Sequence, residues 1–431
     1  MKKYLILLSL FFLQGLIELE AQELPEAWSL NDCINYAIEN NIQVQKSLTA
    51  LLSGREDVLM AKARLLPTVS ASVSQNAAYY PSGAEANFGG NYALSSSLTI
   101  FDGGRRSMAI KQQELYSEIN SLGIAQTEND LRIAIVQTYL QSLYAKEAVG
   151  VALNMTVTSE AQLLRARELL GAGLISRVDL AQLESQHSSN KYQATVAQKN
   201  LDNDMLRLKQ LLELDMGIDL QLADPAPTEA DVLRELPLRN DVYAAALATR
   251  PELKSGQLNV DAARIDIQRA KAGYLPSLSL NAGIGAGYAS GGGAWTSQID
   301  RALNGNASIS LSLPIYSNRE QKTAVNKARF AVTTQELNLQ SARKTLLAAV
   351  EGVYLDARSS QTQYIAASER LRYVEESFRL TEEQFFLGMK NTLELLTERN
   401  NLLSAQQELL QAKYMTIMSF KLLNIYQGLN P

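Results

Sequence analysis

Four segments of the chain alternate between apolar and small polar residues with a period of two. The first two segments cover about residues 68–80 and 91–101, and the other two cover about 277–288 and 306–316. One parity holds mostly Val, Leu, Ile and Ala, whereas the other holds mostly Ser, Thr, Asn and Gly. This alternation predicts β-strands with one apolar and one polar face. Their length suits strands that cross a membrane, which need about 9–11 residues, although a soluble sandwich with a polar outer face would show the same pattern.

Most of the remaining chain predicts helices. No proline lies between Pro81 and Pro225 or between Pro314 and Pro431, and both spans are rich in Ala, Leu, Gln, Glu, Lys and Arg. These residues favour helix, and the two spans predict long helices over 104–170 and 320–387. At 1.5 Å per residue each would be about 100 Å long. A short glycine-containing break follows each long helix, and a returning helix is predicted over 179–214 and 392–426.

The returning helices carry a seven-residue repeat. In the first, one row holds Leu180, His187, Ala194, Leu201 and Leu208, and the second returning helix repeats the row from Leu395 to Leu423. A period of 3.5 residues predicts coiled-coil packing. An ordinary antiparallel bundle would give the same pattern.

The chain is a tandem duplication. "AKARLLPTVS" at Ala61 and "AKAGYLPSLS" at Ala270 both run from a helical pattern through a proline into an alternating segment. We therefore predict a first repeat over residues 22–216, a connector over 217–238 and a second repeat over 239–431, with six extra residues in the second hairpin. Because the residue before proline disfavours the α region, helix-to-strand transitions are predicted at Pro67, Pro276 and Pro314.

The first residues predict export. Two lysines precede an apolar run from Tyr4 to Leu13, and small or polar residues follow up to Ala21. This layout is typical of a signal peptide, predicted over residues 1–21, with a buried N-terminal helix as the alternative. Cys33 lies well beyond this segment, so no lipid anchor is predicted on it. No later segment is apolar for about 18 residues, so no membrane-spanning helix is expected.

Composition argues against several classes of function. The net charge is −5 and no basic stripe occurs, which argues against nucleic-acid binding. With one cysteine and one histidine in the chain, neither a metal centre nor a cofactor nor a Ser-His-Asp arrangement is predicted, and His187 is interpreted as structural. An exported hydrolase would need a polar cluster that the sequence does not single out, although a pair of carboxylates stays open.

Four strands cannot close a barrel, and open edges in lipid leave backbone groups unsatisfied. The chain is therefore expected to share a barrel with further copies. The segments "SLNDCINYAIENN", "LTIFDGGRR", "LSLPIYSNRE" and "GAGLISRVDLAQLES", together with the paired "LP" strand starts, resemble the TolC-type outer-membrane efflux proteins over nearly the whole chain after residue 21.

The resemblance implies a mainly α fold with a transmembrane β portion. Each repeat would contribute a short helix, a β-hairpin, a very long helix and a returning helix. A homotrimer would share a twelve-stranded β-barrel in outer-membrane lipid, continuous with a twelve-helix periplasmic tunnel. Such proteins are passive exit channels for small molecules, ions or proteins, without enzymatic activity, and they work with a periplasmic adaptor protein and an inner-membrane RND or ABC transporter. The alternative is an exported coiled-coil scaffold or adhesin, which has no need for lipid-facing strands.

The resemblance also assigns gate residues at the ends of the helical hairpins. Lys390 stands where the family pattern prefers arginine, Glu394 matches an acidic ring, and Asp179 matches an acidic partner in the first repeat. A Lys390–Asp179 closing contact is predicted. Phe385 stands in place of a tyrosine, and Thr397 replaces a second acidic residue, next to Glu398. The alternative is that Lys390 and Glu394 are ordinary exposed charges.

The same two turns are expected to contact the adaptor protein. This role also rests on the resemblance, and glycines in these turns have a simpler explanation as turn residues. The candidate contact residues are Gly171, Gly173, Ser176, Arg177, Gly388 and Asn391.

Overall fold

The computed structural model describes residues 25–80, 84–223 and 228–429. The predicted signal peptide, residues 1–21, lies outside this part of the chain. The first repeat contains α1 (Leu30–Asn40), α2 (Ile42–Ala63), β1 (Thr68–Tyr80), β2 (Ala84–Phe101), α3 (Arg105–Gly171) and α4 (Arg177–Leu211). The connector contains α5 (Glu229–Val232). The second repeat contains α6 (Arg239–Thr249), α7 (Pro251–Lys271), β3 (Ser277–Ala289), α8 (Trp295–Ala302), β4 (Asn304–Ser312), α9 (Glu320–Phe386) and α10 (Thr392–Tyr426).

The two repeats have nearly the same element lengths. Both α3 and α9 contain 67 residues, and both α4 and α10 contain 35 residues. At 1.5 Å per residue the longer pair extends over about 100 Å. Among the helices in the described ranges, none is both long enough and apolar enough to cross a membrane.

Each long helix packs along its returning helix, α3 against α4 and α9 against α10. The rows of the seven-residue repeat face these contacts: Leu180, His187 and Leu208 are buried on α4, and Leu395 and Leu423 are buried on α10. These rows face the partner helix, as both a coiled coil and an antiparallel bundle require. Each repeat therefore forms one long antiparallel hairpin of two helices.

The four strands form one antiparallel sheet in the order β1-β2-β3-β4. The β2–β3 pair joins the two repeats and places Leu94 opposite Ile284. Because Ala71 pairs with Leu94 and Leu280 pairs with Ile309, the apolar parities of all four strands share one face. In the described chain β1 and β4 each pair along one side only, so the sheet has two free edges.

The ends of two strands differ from the prediction. β2 begins at Ala84 rather than near residue 91, because the glycine-rich segment before Asn91 continues to pair with both β1 and β3. β4 ends at Ser312 rather than near 316. Proline lacks the N–H that would continue the ladder. Pro314 therefore lies in the connection from strand to helix, and its assignment to a helix-to-strand transition was wrong. Pro67 and Pro276 directly precede β1 and β3.

The connection between β3 and β4 contains a short helix, α8 (Trp295–Ala302), which the sequence analysis does not predict. Trp295, Ile299 and Leu303 recur every four residues, which is the helical signal that the surrounding glycines concealed.

The main core lies where α1 and the start of α2 meet the connector and both long hairpins. Trp28 is 1% exposed there, and its backbone pairs with residues 221–223 of the connector. Cys33 is also fully buried in this core, and burial raises the pKa of its thiol to about 12. The core therefore ties the start of the first repeat to the connector.

Candidate functional site

The two helical hairpins end in turns of the same geometry. Gly173 and Gly388 both have φ +74°, a left-handed conformation that favours glycine. In each turn two backbone N–H groups reach back to the carbonyls of the preceding helix, from Gly173 to Leu170 and from Gly388 to Phe385 among them. Gly171 is the last residue of α3. These bonds stop the long helix and reverse the chain within about five residues.

The returning helices begin at side-chain caps. Ser176 caps α4 by accepting from the backbone N–H of Asp179, and Asp179 Oδ2 accepts in return from the backbone N–H of Ser176 at 3.0 Å and from its hydroxyl at 2.6 Å. Asn391 caps α10 in the same manner with Glu394. These are capping boxes, which satisfy free N–H groups at a helix start. Two of the candidate adaptor-contact residues, Ser176 and Asn391, therefore have a structural role in the turns.

A hydrogen bond connects the two tips. Thr392 is 2% exposed, and its hydroxyl donates to Asp179 Oδ1 at 2.7 Å. The hydroxyl of Ser176, followed by that of Thr392, holds the pKa of Asp179 below its usual range. A carboxylate that accepts several hydrogen bonds stays ionised. Asp179 therefore lies at the junction of the tips as an anion, with Thr392 as its partner from the second repeat.

The charged residues of the second tip pair with each other. Lys390 Nζ lies 2.6 Å from Glu394 Oε1, and Lys390, followed by the backbone N–H of Asn391, lowers the pKa of Glu394. Within the described chain the predicted Lys390–Asp179 contact is not formed, because a partner one helical turn away is in easier reach of the lysine. Both Lys390 and Glu394 remain partly exposed.

Phe385 is buried behind the tips rather than exposed at the gate. It packs with Leu163, Leu180 and Leu395 in a cluster drawn from both hairpins. This cluster holds the two tips side by side. The position that the resemblance assigns to the gate is, in this chain, part of the apolar cluster between the two hairpins.

A buried polar network above the tips was not identified from the sequence. Arg399 is 2% exposed; it donates to Gln162 Oε1 and, at 2.9 Å, to the carbonyl oxygen of Met155. Gln162 in turn donates to Glu382. Burial lowers the pKa of Arg399 and the charge of Glu382 opposes that shift. An arginine at the start of a polar helix gives no sequence signal of burial, and only the packing of three helices reveals it.

His187, the one histidine of the chain, also lies between helices. It is buried, and its Nδ1 lies 3.0 Å from Ser159 Oγ. Its interpretation as a structural residue agrees with this position. In the described ranges no group of three or more His, Cys, Asp or Glu side chains is placed to hold a metal ion.

Large apolar side chains are exposed at both tips. The structure leaves five of them open to solvent beside the exposed turn residue Arg177, namely Leu174, Val178, Leu387, Met389 and Leu393. Large apolar side chains exposed together at one end of a protein are typical of contact sites for other proteins.

The polar face of the sheet is uncharged. Ser70 and Ser95 hydroxyls lie 2.9 Å apart, and Ser97 donates to Asn281 at 2.8 Å. The side chains of this face are mainly Ser, Thr and Asn, with glycine in β3. A wall of this composition offers hydrogen bonds but no fixed charge.

Comparisons with known proteins cover both repeats. The sequence profile described as "Outer membrane efflux protein" matches residues 33–213 and 242–423. The toluene efflux pump outer membrane protein TtgC of Pseudomonas putida is 24% identical over 425 residues, which cover 93% of this chain and 82% of that protein. The alkaline protease secretion protein AprF of Pseudomonas aeruginosa is 24% identical over 420 residues, with 93% and 85% covered.

A solved structure shows the same fold. The Campylobacter jejuni CmeC outer membrane channel superposes with a TM-score of 0.79 at 19% identity, covering 93% of this chain and 85% of that one. The family profile spans the larger part of both repeats. Each matched range contains a β-hairpin, a long helix and a returning helix in the same order. The chain belongs to the outer membrane efflux protein family.

Proposed function

We propose that three copies of this chain form a passive exit channel through the outer membrane, as part of an efflux pump or a type I secretion system. The observation that carries the proposal is the sheet, which has one apolar face, one uncharged polar face and two free edges. In a member of the outer membrane efflux protein family, a sheet of this kind suits a wall between lipid and a water-filled passage.

The free edges support the trimer. Each unsatisfied backbone group in hydrocarbon costs several kcal/mol, so β1 and β4 need partners in a membrane. Three sheets of four strands give twelve strands, which leave a lumen, whereas the eight strands of two copies would be filled by side chains. We infer that β1 of one protomer pairs with β4 of the next.

The proposal assigns the chain no catalytic step and no cofactor. The uncharged polar face would select little, so the choice of cargo would lie with an inner-membrane transporter of the RND or ABC type. TtgC is named for toluene efflux and AprF for protease secretion, which supports small molecules and proteins alike as cargo classes.

The proposed channel lies in outer-membrane lipid with its helical hairpins extending about 100 Å into the periplasm, after export by the signal peptide at residues 1–21. Cys33 is fully buried, which supports a chain without a lipid anchor on this residue.

We propose the tips as both gate and adaptor contact. In a trimer three copies of Glu394 would surround the axis, and nearby carboxylates attract divalent cations. Lys390 would balance part of that charge, and its contact with Asp179 of a neighbouring protomer is part of this proposal. The exposed apolar residues around Met389 and Leu393 would bind the periplasmic adaptor protein.

Single-channel recording in planar bilayers tests the proposal. The purified protein should give discrete conductance steps, and divalent cations added on the tip side should block them. Glu394→Ala should weaken the block. Glu351→Ala is the matched control, since Glu351 is also a partly exposed, ion-paired carboxylate, bound to Arg239 at 3.1 Å, but it lies 43 residues from Glu394 along the chain. Absence of conductance would contradict the channel, and an unchanged block in Glu394→Ala would remove Glu394 from the gate.

A further inference from the structure

The short helix α8 lies on the apolar face of the sheet. Trp295 and Ile299 of α8, together with Leu303 directly after it, line an open groove of about 540 Å³ whose floor includes Val73, Leu94 and Ile284. Those three sheet residues belong to β1, β2 and β3, on the parity that we assign to lipid. The helix therefore covers the sheet on the side that faces the bilayer in the proposed channel, and not on the side of the passage.

The position of α8 is fixed by hydrogen bonds to the end of β3. Gln298 Oε1 accepts from the backbone N–H of Ala289 at 2.9 Å, and Gln298 Nε2 donates to the carbonyl of Gly293 at 2.9 Å. These bonds fix the side of α8 that carries Gln298, while Trp295 and Ile299 line the groove. α8 is therefore attached at the strand end rather than free in a loop.

The level of α8 coincides with the boundary of the proposed span. β4 contains nine residues, about the number that a strand needs to cross the hydrocarbon, and α8 ends at Ala302, two residues before β4 begins. Tyr92 and Tyr288 stack near this level with 6.4 Å between ring centroids. Tryptophan and tyrosine are enriched at membrane–water interfaces.

The groove favours an apolar occupant. Trp295 is 58% exposed although it lines the groove, and Leu303 is exposed as well. The polar side of α8 carries one acidic residue, Asp300, and one basic residue, Arg301, so its charges cancel and do not favour an anionic headgroup. The groove is continuous with the apolar face of the strands, where Ile309 and Leu311 are also exposed.

We propose that α8 is an interfacial helix and that the groove beneath it holds an acyl chain of an outer-leaflet lipid. The inference rests on the proposed channel function, because that function assigns the apolar face to lipid. An amphipathic helix at this boundary buries its apolar side at the level where headgroups and acyl chains meet. α8 would then fix the depth of the second hairpin in the membrane.

Tryptophan fluorescence in proteoliposomes tests this directly, since the chain contains only two tryptophans. Trp28 is 1% exposed in the helical core, so quenchers within the bilayer reach only Trp295. Vesicles of phosphatidylcholine brominated near the headgroup end of the acyl chain should quench close to half of the total emission. Bromine near the methyl end should quench less, and Trp295→Phe should remove the quenching.

Two further variants test whether the quenching depends on the side of α8 that faces the groove or on its exposed side. Ile299→Asn places an amide in the groove and should lower the quenching at least two-fold, with a red shift of the Trp295 emission. Thr296→Asn makes a similar change on the exposed side and should leave the quenching unchanged. Conductance is recorded from the same protein preparation. A conducting channel whose Trp295 is not quenched would overturn the α8 inference alone, whereas a protein that does not enter the bilayer would overturn both proposals.

Discussion

The hydrogen bond between Thr392 and Asp179 makes the pairing of the two tips measurable. Thr392→Val keeps the shape of the side chain and removes the hydroxyl that donates to Asp179 Oδ1 at 2.7 Å. The change leaves both capping boxes in place, because Ser176 and Asn391 cap α4 and α10 through their own side chains. Of the contacts between the two hairpins, only this hydrogen bond is lost.

The expected cost is modest. A hydrogen bond to a charged acceptor contributes about 1.5–3 kcal/mol when it is buried. Asp179 is only partly exposed, and water screens and replaces part of such a contact, so we expect about 1 kcal/mol. Because 1.4 kcal/mol is a factor of ten, the equilibrium for separation of the tips should shift about five-fold toward the open state.

Amide hydrogen exchange followed by mass spectrometry provides the assay. Amides of residues 173–180 and 388–395 should exchange about five-fold faster in Thr392→Val, because they exchange through local opening. Thr397→Val is the matched control, since its hydroxyl donates within α10 to the carbonyl of Leu393 at 2.8 Å. Equal exchange rates in wild type and Thr392→Val, or equal acceleration in both variants, would refute a specific bond between the tips.

The pH dependence of this effect has a definite sign. The pKa of Asp179 is lowered in the folded state, first by Ser176 and then by Thr392. A lowered carboxyl pKa contributes stability above its unfolded value, about 3.9, and this contribution is lost as the pH falls through the lower folded pKa. The difference between wild type and Thr392→Val should therefore persist at pH 5 and disappear only well below pH 4.

Three further predictions concern stability and reactivity. Gly388→Ala should destabilise the fold by about 1 kcal/mol because φ is +74° there, whereas Gly352→Ala within α9 should stabilise it by about 1 kcal/mol; chemical unfolding in detergent measures both. Arg399→Ala should cost about 3 kcal/mol, since it leaves the buried acceptors at Gln162 and Met155 unpaired, and Arg399→Lys should cost less in the same assay. Cys33, with its pKa raised to about 12, should stay unreactive toward a disulfide reagent at pH 8 until the protein unfolds; rapid labelling of the folded protein would contradict its burial.

Most of the fold could be predicted from the sequence, because the helical and the alternating segments are long and each type occurs in both repeats. The prediction for the second returning helix, 392–426, coincides with α10 (Thr392–Tyr426), and the first long helix begins and ends within a residue of the prediction. Prolines and glycines bound these segments, and the two repeats confirm each other. The start of β2 was missed because glycines usually end strands, but here pairing on both sides overrides that preference.

The site could be predicted only in part, because the sequence places the turns along the chain but does not show which side chains contact each other. Glycine and capping residues place the turns correctly, since their effect is local. Whether Lys390 pairs with Glu394 or with Asp179 depends on distances across the turn. The burial of Phe385 and Arg399 depends on how the two hairpins pack against each other. None of these is encoded in a local pattern.

Cysteine cross-linking measures whether the free edges β1 and β4 meet between protomers, as the proposed trimer requires. Ala71→Cys on β1 is combined in turn with Ala307→Cys, Ile309→Cys and Leu311→Cys on β4, all on the apolar face. Within one chain two strands separate these edges, which places them about 14 Å apart, beyond the reach of a disulfide. In the proposed trimer, oxidation in membranes should yield covalent dimers and trimers and stop at three chains. Chains that stay monomeric at every pair, or products that grow beyond three chains, would contradict it.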